Sequence, residues 1–191
     1  MKSKMKTIIY TVLMCVILLV GSFVYAHVDK KNLLHDGSID TSKYVPTGNL
    51  RDEFLEQTFL CEENSLDGIV VKTQLFGDVS NVKVKYQLFE LGSDKLIAEG
   101  KLAAKEMKNN QFSEFCFEKK VANTCDKKYT IRLMEEKTSD ENGVGFYHDK
   151  KDGTLVAKTI TKRFDLETFI MVISFVLFIW GFFKVLYKLF K

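Results

Sequence analysis

Two long apolar segments, one near each end of the chain, constrain its fold more than any other feature. Residues 7–26 carry no charged side chain, and residues 168–183 form a second uncharged run. A helix rises about 1.5 Å per residue, so about 20 residues cross the ~30 Å hydrocarbon core of a bilayer. The second run continues around Lys184 and Lys188, whose long side chains reach the headgroups. The sequence therefore predicts an N-terminal and a C-terminal transmembrane helix.

The basic residues predict the orientation of these helices. Three lysines precede the first segment and three end the second: Lys2, Lys4, Lys6, Lys184, Lys188 and Lys191. Basic flanks of transmembrane helices stay in the cytoplasm. We therefore expect residues 1–26 to form a cytoplasmic tail and a transmembrane helix. Residues 166–191 are expected to form a transmembrane helix with a basic cytoplasmic end. The expected location is the cytoplasmic membrane, with the central domain extracytoplasmic and the C-terminus cytoplasmic.

The N-terminal segment also fits a cleaved signal peptide. Its lysines would form the basic region, its apolar run the hydrophobic region, and Val24-Tyr25-Ala26 the cleavage site. The apolar run exceeds the usual ~7–15 residues, which favours an uncleaved helix. Both interpretations stay open, and both leave the central domain outside.

The charge of the central part argues against one class of partner. Residues 27–165 contain 22 Lys or Arg and 24 Asp or Glu, so the chain's net charge of +3 comes from the lysines at its ends. Nucleic-acid-binding domains present a basic surface to the phosphate backbone. We expect no nucleic-acid partner.

The central part divides into a linker and a β-rich domain. Residues 27–52 are polar, contain the only proline and lack a sustained period, which indicates a linker. In residues 53–165, short β-branched and aromatic segments alternate with turn residues. This pattern predicts an all-β sandwich of about eight strands between the two helices. The expected strands are Phe54–Cys61, Gly68–Phe76, Val82–Leu91, Lys95–Ala103, Gln111–Glu118, Lys128–Glu135, Val144–His148 and Leu155–Phe164.

Alternation along these strands predicts which side chains are buried. Val84, Tyr86 and Leu88 fall on one side of their strand, and Phe115 and Phe117 share a side of theirs. We expect these apolar sides to meet in the core. Residues 102–108 contain good helix formers and favour a short helical turn.

Three of the four cysteines lie in the exported part, where disulfides form. A Cys116–Cys125 bridge would close a short loop between two expected strands. Three cysteines allow three pairings, and sequence does not select among them. Cys61 is expected on the same side of its strand as Phe59, so we interpret it as a core thiol.

No familiar catalytic or metal-binding spacing occurs in the sequence, so we expect no enzymatic activity, no cofactor and no metal site. The most promising ligand site is the loop-bounded segment of Phe146, Tyr147, His148 and Asp149. Exposed rings beside hydrogen-bonding groups suit a sugar, because the rings stack on its C–H faces. The alternative places Phe146 in the core and Tyr147 at an edge.

Several segments together resemble a known domain. They run from about Glu56 to Phe164 and include QTFLCEENSLDGIVVKT, NVKVKYQLFELGSDKLIAEGKL, FSEFCFEK, KKYTIRLME and GVGFYHDKKDGTL. Their order is similar to that of the galactose-binding-like, jelly-roll domain of bacterial membrane proteins linked to cell-surface polysaccharide synthesis. The resemblance implies a jelly-roll fold outside the membrane and transfers no catalytic residue.

Together these features predict a membrane-anchored, non-catalytic accessory or binding protein of the cell envelope. Its expected partners are the lipid bilayer, a membrane protein of cell-surface glycan synthesis and a carbohydrate. The alternative is a structural or regulatory subunit of a membrane complex with no small ligand.

Overall fold

Most residues that the sequence assigns to strands form two antiparallel sheets in the computed structural model, which describes residues 2–38, 40–51, 53–93, 95–137, 139 and 141–190. The described residues divide into two compact units. One comprises the residues up to Asp29 and those from Arg163 onward, and the other comprises Lys30–Lys162. The first unit contains both helices, and the second contains most of the strand residues.

The described residues form two helices, ten strands and two short 3-10 turns. The helices are α1 (Lys2–Tyr25) and α2 (Leu166–Leu189), and the 3-10 turns are Thr41–Lys43 and Ala104–Glu106. The second turn lies where the sequence favours a short helical piece. The strands are β1 (His27–Leu33), β2 (Tyr44–Pro46), β3 (Phe54–Cys61), β4 (Ser65–Phe76), β5 (Lys83–Glu90), β6 (Leu96–Ala103), β7 (Gln111–Ala122), β8 (Lys127–Glu136), β9 (Gly143–Asp149) and β10 (Ala157–Phe164).

The sheets share one apolar core. One sheet has the strand order β1-β10-β4-β9-β2, with β7 also paired to β4, and the other has the order β3-β8-β5-β6. Inward-facing side chains alternate with outward-facing ones, as strand geometry requires. The predicted burial of the apolar sides of β5 and β7 is confirmed. The largest fully buried side chains are Phe115, Phe146, Leu66, Ile69, Leu88, Ile131, Leu133 and Ile160.

The region interpreted as a linker, residues 27–52, contains sheet structure, which corrects that interpretation. Strand β2 pairs with β9, and β1 lies beside β10. Leu50 is buried in the core and Leu34 packs against it. Both strands lie at the ends of the strand order, so one edge of each has no hydrogen-bonded neighbour in the sheet. Polar side chains and Pro46 are tolerated in such edge strands. Their sequences therefore lack the usual strand pattern.

Helices α1 and α2 lie side by side and antiparallel within their unit. The carbonyl oxygen of Ala26, after α1, accepts a hydrogen bond from the Asp165 N–H at 2.8 Å, just before α2. Further along the pair, Tyr10 of α1 and Trp180 of α2 line the same apolar groove. The N-terminus of α1 and the C-terminus of α2 therefore lie at the same end of the helix pair.

Among the described residues, one helix is long and apolar enough to cross a membrane, and it is α2. Asp165 caps this helix, because its Oδ1 accepts hydrogen bonds from the N–H groups of Glu167 at 3.0 Å and Thr168 at 3.4 Å. The apolar part of α1 is the shorter Ile9–Tyr25. Length and composition thus support a C-terminal anchor, and the first span stays a prediction.

Candidate functional site

The aromatic segment identified in the sequence lies on β9, and the strand divides it between two faces of its sheet. Phe146 and His148 share one face, and Tyr147 and Asp149 share the other. Phe146 has no exposed surface, and its ring lies 6.1 Å from that of Phe115 in the core. The assignment of Phe146 to ligand binding is therefore wrong, because the ring fills the space between the sheets.

Tyr147 lies half-buried on the outer face, beside a lysine that contacts two aromatic rings. The Lys72 ammonium lies 5.1 Å from the centroid of the Tyr147 ring and 5.3 Å from that of Tyr44. Lys72 comes from β4, Tyr147 from β9 and Tyr44 from β2. A cation over a ring is attracted by the negative charge of its face. Three strands thus hold two rings around one positive charge.

His35 fixes the position of Tyr44. The imidazole is 8% exposed, with Nδ1 3.2 Å from the Ala157 carbonyl oxygen and Nε2 3.2 Å from the Tyr44 hydroxyl. A carbonyl oxygen only accepts, so Nδ1 carries the hydrogen. In the neutral ring Nε2 is then the acceptor, and the Tyr44 hydroxyl donates to it. Neither residue was predicted from the sequence, because both lie in the segment interpreted as a linker.

Asp149 is buried beside this group and has an unpaired oxygen. It lies opposite Tyr44 in the β2–β9 ladder and is 1% exposed. Its Oδ1 accepts a hydrogen bond from the Lys151 N–H at 2.6 Å, which closes the turn after β9. In the described part of the chain its Oδ2 has no hydrogen-bond partner. A buried carboxylate oxygen without a donor is costly, but at 1% exposure this oxygen is closed to a ligand in the structure.

The outer face continues across β7 and β10. Phe112 lies opposite Lys72 in the β4–β7 ladder and is 44% exposed. The Lys158 ammonium lies 5.0 Å from the Phe112 ring centroid. We define the aromatic face as the set Tyr44, Lys72, Phe112, Tyr147 and Lys158. It presents three rings and two ammonium groups on one side of the sheet.

His148 does not contribute to the aromatic face. It pairs with Val45 of β2 and with Leu155, and strand alternation directs it to the same side of the sheet as Phe146. Its ring is half-buried there. Of the four predicted site residues, the structure brings Tyr147 and Asp149 together and places the other two on the opposite side of the sheet.

A second depression lies at the β5–β6 end of the other sheet. It has a volume of about 340 Å³ and is lined by Tyr86, Gly100, Cys116, Glu118, Lys85, Glu99 and Lys101. Burial raises the pKa of Tyr86 to about 12, and Cys116 and Glu118 add to this shift. The Tyr86 hydroxyl donates to the Cys116 carbonyl oxygen. A phenol with this pKa stays protonated at neutral pH, so here it acts as a hydrogen-bond donor.

The predicted Cys116–Cys125 bridge is not formed, and all four cysteines are free. Cys116 and Ala122 are six residues apart on the extended strand β7, so their Cα atoms are separated by about 20 Å. The three residues from Ala122 to Cys125 return at most about 11 Å. The Cα atoms therefore remain farther apart than the ~7 Å limit of a disulfide.

No three His, Cys, Asp or Glu side chains converge on a metal-sized site within the described residues. Comparison with known proteins adds no family: no family model matches the chain, and no curated protein matches it significantly. The resemblance to galactose-binding-like domains therefore stays a prediction.

Proposed function

We propose that this chain is a membrane-anchored, extracytoplasmic and non-catalytic protein whose aromatic face binds a carbohydrate. The observation that carries the proposal is the placement of the Tyr44 and Tyr147 rings around Lys72 on the outer face of the sheet. Rings stack on the C–H faces of a sugar, while an ammonium donates hydrogen bonds to its hydroxyls. The resemblance to a jelly-roll, galactose-binding-like domain supports the same ligand class.

The arrangement of the helices supports the proposed location. Helices α1 and α2 are antiparallel, so the lysines at the start of α1 and at the end of α2 belong to the same end of the pair. Basic ends stay in the cytoplasm, so two such helices would leave residues 27–165 outside. A cleaved first segment would give the same location with a single anchor.

Replacing Tyr147 with Ala is expected to weaken sugar binding about 10-fold or more. The loss of one stacked ring removes on the order of 1.4 kcal/mol of binding energy. Ligands are first found by applying the full chain, in detergent, to an array of neutral and acidic glycans. The best glycan is then titrated into wild type and Tyr147→Ala by isothermal calorimetry.

Phe54→Ala is the matched control. Phe54 is also an exposed ring under a cation, with the Arg132 guanidinium 4.8 Å from its centroid, but it lies on the other sheet. We expect its sugar affinity to equal that of wild type. Absence of glycan binding by the wild-type chain at millimolar concentration would contradict the proposal, as would equal affinities of wild type and Tyr147→Ala.

A second candidate function, a subunit of a membrane complex, is favoured by the outer face of the other sheet. Arg132 lies between the Phe54 and Phe89 rings, at 4.8 Å and 4.9 Å from their centroids, and Phe54 is more than half exposed. Exposed aromatic and arginine side chains dominate binding energy in protein interfaces. Under this alternative Phe54→Ala loses a co-purifying membrane protein, whereas Tyr147→Ala retains it.

A further inference from the structure

The start of β8 and the end of β3 bring two cysteines together that the sequence did not pair. Cys61 is the last residue of β3, and Cys125 lies in the turn that leads into β8. The Asp126 N–H donates to the Cys61 carbonyl oxygen at 2.9 Å. This bond joins the peptide group after Cys61 to the peptide group after Cys125. Cys61 pairs with Lys127 in the β3–β8 ladder, so Cys125 lies just beyond the end of that ladder, beside Cys61.

Further hydrogen bonds hold the two segments against each other. The Thr124 hydroxyl donates to the Glu63 carbonyl oxygen at 2.5 Å, and the Thr124 N–H donates to that of Asn64 at 3.3 Å. Thr124 is fully buried. The turn that carries Cys125 is therefore fixed beside the residues that follow Cys61.

Both thiols point toward the same short stretch of backbone. The Cys61 Sγ donates to the Glu63 carbonyl oxygen at 3.5 Å, and the Cys125 Sγ donates to the neighbouring Glu62 carbonyl oxygen at 3.4 Å. Desolvation raises the pKa of the Cys125 thiol, with Asp126, Cys61 and Glu63 adding to the shift.

We propose that Cys61 and Cys125 form the disulfide of the exported domain. Its oxidant is a small-molecule disulfide such as oxidised glutathione. The exposed Cys125, as thiolate, attacks one glutathione sulfur and releases one glutathione thiol, which leaves a mixed disulfide. Cys61, after losing its proton, attacks the Cys125 sulfur of the mixed disulfide and releases the second glutathione thiol. Two protein thiols thus become one disulfide, and one glutathione disulfide becomes two thiols.

The bridge would tie β3 to β8 across the long segment between Cys61 and Cys125, which includes β4, β5, β6 and β7. Closing a long loop restricts the unfolded chain more than closing a short one. Cys116 has no part in it and remains a free thiol in the depression beside Tyr86. The inference is independent of sugar binding, because neither cysteine belongs to the aromatic face.

The test uses the full chain in detergent, incubated with reduced and oxidised glutathione at mildly alkaline pH. Free thiols are then blocked under denaturing conditions, and the digest is analysed by mass spectrometry. We expect a linked peptide pair containing Cys61 and Cys125 in wild type and in the control Cys116→Ser. Oxidation should also raise the unfolding midpoint of both chains by about 5 °C or more and leave that of Cys125→Ser unchanged.

Three results would overturn the proposal. One is a linked pair that contains Cys116, and another is the absence of any Cys61–Cys125 pair in oxidised wild type and Cys116→Ser. The third is an equal rise in the unfolding midpoint of Cys125→Ser, which would show that the bridge is not the cause. Cys125 is exposed, so its serine variant is expected to fold.

Discussion

Replacing Phe115 with Ala is expected to lower the free energy of unfolding by about 3–5 kcal/mol, the usual cost of deleting a buried ring. Phe115 has no exposed surface and lies where the two sheets meet. Its ring contacts that of Tyr86 edge-on at 5.3 Å and that of Phe146 at 6.1 Å. Tyr86 belongs to one sheet and Phe146 to the other, so the cavity would separate side chains that hold both sheets together.

The measurement is denaturant unfolding of the full chain in detergent, monitored by the circular dichroism signal of the strands. Phe112→Ala is the control, because Phe112 lies on the same strand but faces outward and is 44% exposed. Its loss is expected to cost less than about 1 kcal/mol. Equal destabilisation by the two substitutions would contradict the assignment of Phe115 to the shared core.

Gly68→Ala is expected to lower the free energy of unfolding by about 3 kcal/mol through overpacking. A Cβ at Gly68 would lie 2.8 Å from the Cys116 Cα and in direct collision with the Phe115 carbonyl oxygen. Both are backbone atoms of β7, so a side-chain rotation cannot relieve the clash. The β4–β7 ladder also has an irregularity between Leu66 and Gly68. The same unfolding assay measures the effect.

Gly92→Asn is the control for this substitution. Gly92 has a φ of +85°, and a Cβ there meets nothing within 4 Å. Asn tolerates a positive φ better than most residues, so its cost is expected to stay below about 1 kcal/mol. If Gly68→Ala lowers the free energy of unfolding by no more than Gly92→Asn does, β4 and β7 are not in close contact at this position.

Strands with one buried and one exposed side were predictable from the sequence. The bounds of β3 agree with the expected Phe54–Cys61, and β5 buries Val84, Tyr86 and Leu88 as the alternation predicts. Two-residue periodicity reports burial directly, so it identifies such strands well. Where the chain is polar the signal fades: β7 continues past the expected end at Glu118 to Ala122, through Lys119 and Lys120.

The strands β1 and β2 were not predictable for the same reason. The sequence of β1, HVDKKNL, is mostly polar, and β2 is a three-residue strand that ends at Pro46. Terminal strands need little apolar character, because the existing sheet supplies their ladder partner. Their positions depend on β9 and β10, which lie more than 100 residues later in the chain.

The candidate site was predictable only in part. Tyr147 stood out because it lies beside polar groups in a short strand. Tyr44, His35 and Lys72 did not, because their association requires β2, β4 and the segment after β1 to meet on one face. The cysteines show the same limit: Cys61 and Cys125 are far apart in sequence, and the pairing of Cys61 with Lys127 brings the turn that carries Cys125 to the end of β3.

The location of the sandwich is tested most directly by labelling single cysteines with a membrane-impermeant maleimide in bacterial spheroplasts. One chain keeps only Cys116, which is exposed, and another carries Lys188→Cys in a cysteine-free background. We expect Cys116 to be labelled in intact spheroplasts and position 188 only after the membrane is permeabilised. Protection of Cys116 until permeabilisation, or labelling of position 188 before it, would contradict an extracytoplasmic domain held by a helix with a cytoplasmic end.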